Sequence, residues 1–490
     1  MTSTARRRHL FIDGQAVEET VKVTQTMHQP TKRGVVVRPD RPSDGVWIEI
    51  RDAPFWVPDE QIYKMYYLYG TDHDGNSGTA YAESEDGLTW RKTIVGRALD
   101  HGSTENNHVS VEPDLRWPDN YLNGVVYDPD DTEPSRRYKA FIGAHSRQPN
   151  VSANGFDWNR LPVAPLESMD ESQMTLDRDR RTFIAAVKRR GPHGRSFNLV
   201  TSPDFEHWTD HGLTFHADDE DQALARELIA AQLEDTSLAR PMFVDPAVFA
   251  ADIYNMAIFP YEDLYLGLPA FFYHTGPVGR NHDGFHQIQL TVSRDLRTWQ
   301  RVGNRAPFIP RSPAAPGVFD VMQLLPSARP VEHGDELWFY YTGIKCRCHP
   351  YWIRADGSFR PPEERTAAER ATMAATGSGG VCLAILRRDG FVSLDAGAAE
   401  GTARTRAFTA DGNRLFVNVD ARRGHLRVDA LTPEGTILAT SEPVTGDQLR
   451  AELRWPGGTS PILIGHPVAL RFVLRDASLY SYWFDGGEPG

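Results

Sequence analysis

The chain has few cysteines and no long apolar run. Three cysteines occur in 490 residues, Cys346, Cys348 and Cys382, which is too few for a disulfide framework and typical of a reducing compartment. No stretch reaches the ~18–20 consecutive apolar residues of a membrane-spanning helix. The N-terminal "MTSTARRRHLFIDGQ" has arginines without a following apolar run, unlike a secretory signal. We therefore expect a cytoplasmic protein.

The chain also lacks an excess of positive charge. Its formal net charge is −13, whereas a surface that binds nucleic acid or acidic lipid needs a cationic excess. We predict neither a nucleic acid nor a membrane as partner, and association with further copies of the chain stays open. The Cys-x-Cys-His run at 346–349 lacks the second ligand pair of a structural zinc site, and nothing in the sequence predicts a metal or another cofactor.

One short motif returns along the chain. It reads "SEDGLTW" at 84–90, "SANGFDW" at 152–158, "SPDFEHW" at 202–208 and "SRDLRTW" at 293–299, with a degraded echo, "LRRDGFVSL", at 386–394. Each copy follows aromatic and β-branched runs that alternate with period two and predict strands. An all-β unit repeated five times, and too small to bury its own faces, predicts blades around an axis.

The motif itself is interpreted as scaffold. Its Asp or Asn can accept backbone N–H bonds in a tight turn, and its Trp can pack between neighbouring sheets. A ring of identical chemistry on the outer turns cannot converge on one substrate. We therefore look for function at the axis.

Two helical insertions and a change of sequence pattern near the C-terminus complete the prediction of an all-β fold. Residues 220–235 and 361–377 predict short helices. The first has its larger apolar residues on one face: Leu224, Leu228, Ile229 and Leu233. After about residue 396 the sequence alternates strictly and the motif does not return. We predict a five-bladed β-propeller over 1–395 and a β-sandwich over 396–490.

Five such blades followed by a β-sandwich resemble the glycoside hydrolases of families 32, 43 and 68. Strand sequences such as "YKMYYLYG" and "ELWFYYTG" are similar to theirs, whereas their Trp-x-Asn-Asp-Pro, Arg-Asp-Pro and Glu-Cys signatures do not occur. The resemblance implies a glycosidase with three carboxylates on the inner strands of blades one to three. One Asp acts as base or nucleophile, a second Asp orients, and a Glu is the acid.

Counting back from the predicted hairpin of each blade gives the residues that face the axis. These positions are Asp52, Asn123, Asp170 beside Glu171, Asn255 and Asp320. The resemblance then suggests Asp52 as base or nucleophile and Glu171 or Asp170 as its catalytic partner. Asp320 replaces the orienting carboxylate, since blade two has Asn123. A register shift of a residue or two would bring in the reserves Glu49, Glu112 and Asp252 instead.

Further candidates suit sugar binding. The amides of Asn123 and Asn255 offer donors and acceptors to hydroxyl groups. Aromatic and polar rings can stack on or bond to a sugar, and the candidates are Tyr254, Trp56, His286 and Trp352. Arg195 and Arg280, in Gly-rich loops, could meet an anionic sugar.

Three functions remain open beside hydrolysis of a small glycoside or oligosaccharide, for which a furanoside is one option. A phosphorylase resembling family 130 would need a cationic phosphate site near the axis. A sialidase-like enzyme is favoured less, because "SEDGLTW" is one residue short of the Asp-box spacing and no arginine triad is evident in the sequence. A non-catalytic carbohydrate-binding propeller would keep the aromatic and amide residues without needing the carboxylates.

Overall fold

A computed structural model describes residues 7–70, 77–100, 102–109, 121–143 and 145–486. Within these ranges the strands form five antiparallel sheets of four or five strands and one sheet of eleven. Each small sheet contacts the next one along the chain, and the fifth sheet returns to the first. The predicted five-bladed β-propeller is confirmed.

The first three blades follow the chain directly. Blade one contains Trp47–Glu49, Phe55–Val57, Ile62–Gly70, Ser77–Ser84 and His108–Val109. Blade two contains Leu122–Tyr127, Tyr138–Ile142, Ser146–Ser152, Trp158–Arg160 and Leu166–Glu167. Blade three contains Ser172–Asp177, Thr182–Gly191, Gly194–Ser202 and Thr209–Phe215.

The ring is closed by a strand from the N-terminal part of the chain. Blade four contains Ala250–Tyr261, Leu264–Val278, Asn281–Ile288, Thr291–Ser293 and Gln300–Arg301. Blade five contains Gln323–Pro326, Val331–His333, Glu336–Ile344 and Gly379–Arg387, with Thr31–Val37 as its outer strand. That strand pairs Val37 with Val381 and Thr31 with Ile385, so segments about 350 residues apart in sequence share one sheet.

The repeated motif forms the same turn in four blades. In blade one, Asp86 Oδ1 accepts bonds from the amides of Leu88 at 2.8 Å and Thr89 at 2.7 Å, and from Ser84 Oγ at 2.9 Å. The equivalent oxygens of Asn154, Asp204 and Asp295 accept the same set of bonds. The predicted structural role of the motif is confirmed.

The Trp and Gly of the motif join adjacent blades. Trp90 donates its indole N–H to the carbonyl of Gly87 at 3.0 Å and meets the ring of Tyr340 edge-on. Tyr340, in blade five, donates its hydroxyl to the same Gly87 carbonyl at 2.6 Å. Gly87 has φ +73, a left-handed conformation that glycine adopts without strain. Tyr66 in blade one bonds Gly155 of blade two in the same way, at 3.1 Å.

The fifth, degraded copy of the motif, at 386–394, has a different structural role. Asp389 is fully buried and accepts bonds from Arg8 at 2.6 Å, Tyr261 at 2.7 Å and Ser481 at 2.6 Å. These partners come from the N-terminal segment, blade four and the C-terminal sheet. The carboxylate therefore holds the propeller to that sheet.

The C-terminal strands, in the described part of the chain, belong to one antiparallel sheet of eleven that curls around its own core. Its long strand Arg414–Leu431 pairs with Ala477–Asp485 through its first half and with Pro467–Arg475 through its second. The remaining strands are His9–Leu10, Glu19–Val21, Thr24–Met27, Val392–Ala396, Gly401–Arg404, Phe408–Thr409, Ile437–Thr440 and Val444–Glu452. Residues 9–27, which we predicted to belong to the propeller, instead contribute three strands to this sheet.

Both predicted helices are present. Helix α1, Asp219–Glu234, is capped by Asp218 and buries Ala225 and Ile229. Leu224 is 40% exposed, so the buried face is turned slightly from the predicted one. Helix α2, Ala367–Thr376, is capped by Thr366. Short 3₁₀ turns lie at Pro42–Asp44, Pro134–Arg136, Pro246–Val248, Gly303–Arg305, Pro362–Glu364 and Pro456–Gly458.

Among the described residues, the structure has no helix with the length and apolar character that crossing a membrane requires.

Candidate active site

The site lies where the inner strands of the blades begin, and its centre is Glu171. Arg51 Nη2 donates to Glu171 Oε1 at 2.7 Å, and Arg51 Nε lies 2.5 Å from Oε2. Asn255 Nδ2 donates to Oε2 at 3.3 Å. Arg51 also pairs with Glu49. One buried glutamate therefore connects blades one, three and four, with a second glutamate on the other side of the arginine.

The pKa of Glu171 is raised, chiefly by burial. The charges of Arg51 and Lys188 oppose this rise, and the neighbouring carboxylates Asp170 and Glu49 add to it. Removing a carboxylate from water disfavours its charged form, and nearby like charges do the same. Burial therefore favours the neutral form of Glu171, whereas Arg51 and Lys188 favour its charged form.

The adjacent Asp170 has the opposite electrostatic environment. Lys188 Nζ, which is fully buried, donates to Asp170 Oδ1 at 2.8 Å. Burial favours a higher pKa for Asp170, but the charge and hydrogen bond of Lys188 outweigh it, and the pKa falls to about 2. The Asp170 side chain is 48% exposed, so solvent screens part of this attraction, yet the group is ionised at neutral pH and open to solvent.

Blades three and four share a second ion pair, and blade four contributes an aromatic wall. Asp252 Oδ2 accepts from Arg195 Nη1 at 2.8 Å, and His274 Nε2 lies 3.3 Å from Oδ1. The ring of Tyr254 lies 4.6 Å from that of His286 and 4.0 Å below Lys188 Nζ. The predicted residues Tyr254, His286, Asn255, Asp170 and Glu171 are therefore brought together.

Asp52 faces away from this group. Its side chain is 3% exposed, and the backbone amides of Gly124 and Val125 bond it. Burial raises its pKa to about 7 against those two bonds. Asn123, beside them, is buried and donates to the carbonyl of Gly143 at 3.2 Å. Arg51 and Asp52 follow the end of strand Trp47–Glu49, where Arg51 contacts Glu49 while the Asp52 side chain meets the backbone of blade two.

Asp320 has partners away from Glu171. Its Oδ2 accepts from Lys32 Nζ at 2.6 Å, and from Ser312 and Tyr341 at 2.9 Å each. Lys32 lies on the outer strand that closes the ring. Asp320 therefore fastens that strand to blade five.

Trp56 lies at the far end of blade one. It pairs with Tyr63 whereas Glu49 pairs with Leu68, and five residues of strand span roughly 16 Å. Glu112, a reserve candidate, lies outside the described residues.

Three cations of the site were not predicted: Arg51, Lys188 and Arg347. The position of Arg51 two residues after the reserve candidate Glu49 was a usable signal for it. Lys188 lies opposite Glu171 because Ser172 pairs with Val187, which requires the register of the hairpin. Arg347 lies in the loop after strand Glu336–Ile344 of blade five, and only the tertiary structure brings it to blade four.

No protein-family model and no curated protein sequence matches the chain. Its fold is similar to solved structures of glycoside hydrolases. One is a glycoside hydrolase with 13% identity and a TM-score of 0.40, covering 74% of this chain and 94% of that one. A fructofuranosidase from Schwanniomyces occidentalis complexed with fructosylnystose has 10% identity and a TM-score of 0.39, covering 94% and 98%.

A further similar structure is a family 43 arabinoxylan arabinofuranohydrolase from Bacillus subtilis in complex with cellotetraose. It has 11% identity and a TM-score of 0.34, and the match covers 92% of this chain and 99% of that one.

Proposed function

We propose that the protein is a glycoside hydrolase whose catalytic pair is Glu171 and Asp170. The observation that supports this is the contrast between the surroundings of two adjacent carboxyl groups. Glu171 is buried, which raises its pKa, whereas the half-exposed Asp170 accepts a bond from Lys188, which lowers its pKa to about 2. Glycoside cleavage needs a protonated carboxyl group to protonate the leaving oxygen and an ionised carboxylate to attack the sugar or activate water. Environments that push two pKa values apart assign these roles.

In this proposal Glu171 is the acid and Asp170 is the base or nucleophile. Arg51 and Asn255 fix the Glu171 carboxyl group from two blades, which limits its rotamers. Lys188 holds Asp170 charged. We do not assign Asp52 the base role that the family resemblance suggested. Backbone amides bond its carboxyl group, and its pKa lies at about 7.

The substrate we propose is a small glycoside or oligosaccharide, a furanoside being one option. Tyr254 supplies an aromatic surface next to the carboxylates, and aromatic rings bind the apolar faces of sugars. The three cysteines are free, which supports our proposal of a cytoplasmic enzyme of carbohydrate metabolism.

The test is kinetic, with the full-length chain and a panel of nitrophenyl pyranosides and furanosides, followed by the matching unactivated glycosides. Asp170→Asn should lower turnover by at least ~10²-fold on both kinds of substrate. Glu171→Gln should do so on unactivated glycosides but much less on nitrophenyl ones, whose leaving group needs little protonation.

Asp179→Asn is the matched control, since Asp179 is an exposed carboxylate on the hairpin of the same blade. It should behave like the parent. Near-normal rates in both Asp170→Asn and Glu171→Gln, with the fold intact, would remove the proposed mechanism and favour a non-catalytic carbohydrate-binding propeller.

A further inference from the structure

Three cations surround the aromatic wall of the site. Lys188 Nζ lies 4.0 Å from the centre of the Tyr254 ring, and the guanidinium carbons of Arg195 and Arg347 lie 5.6 Å and 5.4 Å from it. The two arginines also lie over Phe272, at 5.5 Å and 4.5 Å. This arrangement joins blade three and a loop within blade five, between the strands Glu336–Ile344 and Gly379–Arg387, over one pair of rings in blade four.

Two of these cations have a carboxylate partner and the third does not. Lys188 pairs with Asp170, and Arg195 pairs with Asp252. Arg347 donates to two neutral acceptors, the carbonyl of His282 at 2.7 Å and Gln323 Oε1 at 3.4 Å. Within the described ranges no ion pair is formed by Arg347, so its charge is available to a ligand.

A buried histidine beside the cations also lacks partners. His286 is fully buried, and neither ring nitrogen has a hydrogen-bond partner among the described residues. Its ring lies 4.6 Å from that of Tyr254 and 4.8 Å from that of Phe272. An unbonded buried polar group is costly, and a neutral imidazole offers one N–H donor. This is a second, independent sign that the region is built for a polar ligand.

We propose that this region, formed by Arg347, Arg195 and His286 around Tyr254, binds an oxyanion carried by the substrate, the carboxylate of an acidic sugar. The proposal rests on the proposed function, which places a sugar in this pocket. A guanidinium presents parallel N–H donors that match a planar carboxylate. The rings of Tyr254 and Phe272 exclude water around the guanidinium and the substrate carboxylate. The attraction between these two charges is therefore stronger than it would be in water.

The same donors could take free inorganic phosphate as a co-substrate, and the experiment separates the two sources. Calorimetric titration of the full-length protein would use D-glucuronate and D-galacturonate, the neutral sugars D-glucose and D-galactose, and inorganic phosphate, all at one ionic strength. An acidic sugar should bind at least ~10-fold more tightly than its neutral counterpart, the size of a charge-assisted hydrogen bond.

Arg347→Gln should lower the affinity for the acidic sugar by at least ~10-fold more than it lowers the affinity for the neutral sugar, and so remove the preference. Arg354→Gln is the matched control, because Arg354 is an exposed arginine of the same loop that pairs with Glu364, and it should keep the preference. Equal affinities for acidic and neutral sugars in the parent, or equal losses for both in Arg347→Gln, would overturn the proposal. Phosphate binding that depends on Arg347, without any acidic-sugar preference, would also overturn it and indicate phosphorolysis.

These outcomes do not depend on turnover. An acidic-sugar preference that depends on Arg347, together with normal turnover in Glu171→Gln and Asp170→Asn, would retain the binding site and reject the catalytic pair. The loss of turnover in those two variants without any acidic-sugar preference would do the reverse.

Discussion

Arg51 and Glu171 meet across the axis of the propeller through two nitrogen–oxygen contacts, of 2.7 Å and 2.5 Å. They come from blades one and three and are 120 residues apart in sequence. Both side chains are buried, so the pair fixes the position of the proposed acid and sets the charge around it. This relationship makes Arg51 a positioning residue with a measurable effect on pH dependence.

Replacing Arg51 by Met should raise the pKa of Glu171, because the arginine charge lowers it. Opposite charges at such distances shift a carboxyl pKa by about 1–3 units. Since the acid must be protonated, the alkaline limb of the pH–rate profile should move to higher pH by a similar amount. Arg51→Lys, which keeps the charge, should move it much less.

The Arg51→Met variant should also lose roughly 3–5 kcal/mol of stability, the usual cost of leaving buried charges without a partner. The control is Arg91→Met, since Arg91 forms an ion pair with Glu83 and is 64% exposed, and it should cost less than ~1 kcal/mol. An unchanged pH profile in Arg51→Met would contradict the proposed role of Glu171.

Asp52→Asn should change how stability depends on pH while sparing catalysis. The folded-state pKa of Asp52 is raised to about 7 from 3.8, so its stabilising contribution is fully present below pH ~4 and is lost as the pH rises through ~7. The parent should therefore lose about 2–3 kcal/mol relative to Asp52→Asn between pH 5 and pH 8.

Urea denaturation at several pH values measures this difference in stability. Asp59→Asn is the control, because Asp59 is an exposed carboxylate on the hairpin of the same blade. The stability difference between this variant and the parent should stay the same across the pH range. A turnover loss of ~10²-fold in Asp52→Asn would return Asp52 to the catalytic pair and speak against Asp170.

Trp90→Ala should destabilise the fold by about 2–4 kcal/mol, somewhat below the cost of truncating a fully buried aromatic, because Trp90 is partly buried between blades one and five. Trp56→Ala is the matched control: Trp56 is 39% exposed and should cost less than ~1 kcal/mol. Thermal unfolding compares the two. A Trp90 variant that melts like the parent but loses activity would reject the scaffold role of the repeated motif.

A chain shortened to residues 1–396 should aggregate or unfold. The strands at 9–27 pair in the C-terminal sheet and would lose that pairing. Asp389, which binds Arg8 and Ser481, would lose Ser481 as a partner. Light scattering and denaturation would show the outcome. A monomeric fragment with a cooperative transition and full activity would indicate that the propeller does not need the sheet.

The architecture of the propeller could be predicted from the sequence because it repeats locally. Each turn is fixed by hydrogen bonds within a few residues, as those of Asp86 show, and strands alternate with period two. Both patterns are written in consecutive residues. The helix at 220–235 was predictable for the same reason, because its apolar residues recur at helical spacing within consecutive residues.

The site depended on register and on contacts between distant segments, which consecutive residues do not specify. Arg51 and Asp52 are adjacent in sequence, yet Arg51 meets Glu171 whereas Asp52 meets the backbone of blade two. The ion pair of Lys32 with Asp320 spans 288 residues, and the N-terminal strands could join either the propeller or the C-terminal sheet. The sequence alone determined the blades and their turns, whereas the tertiary structure decided which charges meet at the axis, because a buried charge is stabilised only by partners that the folded chain brings to it.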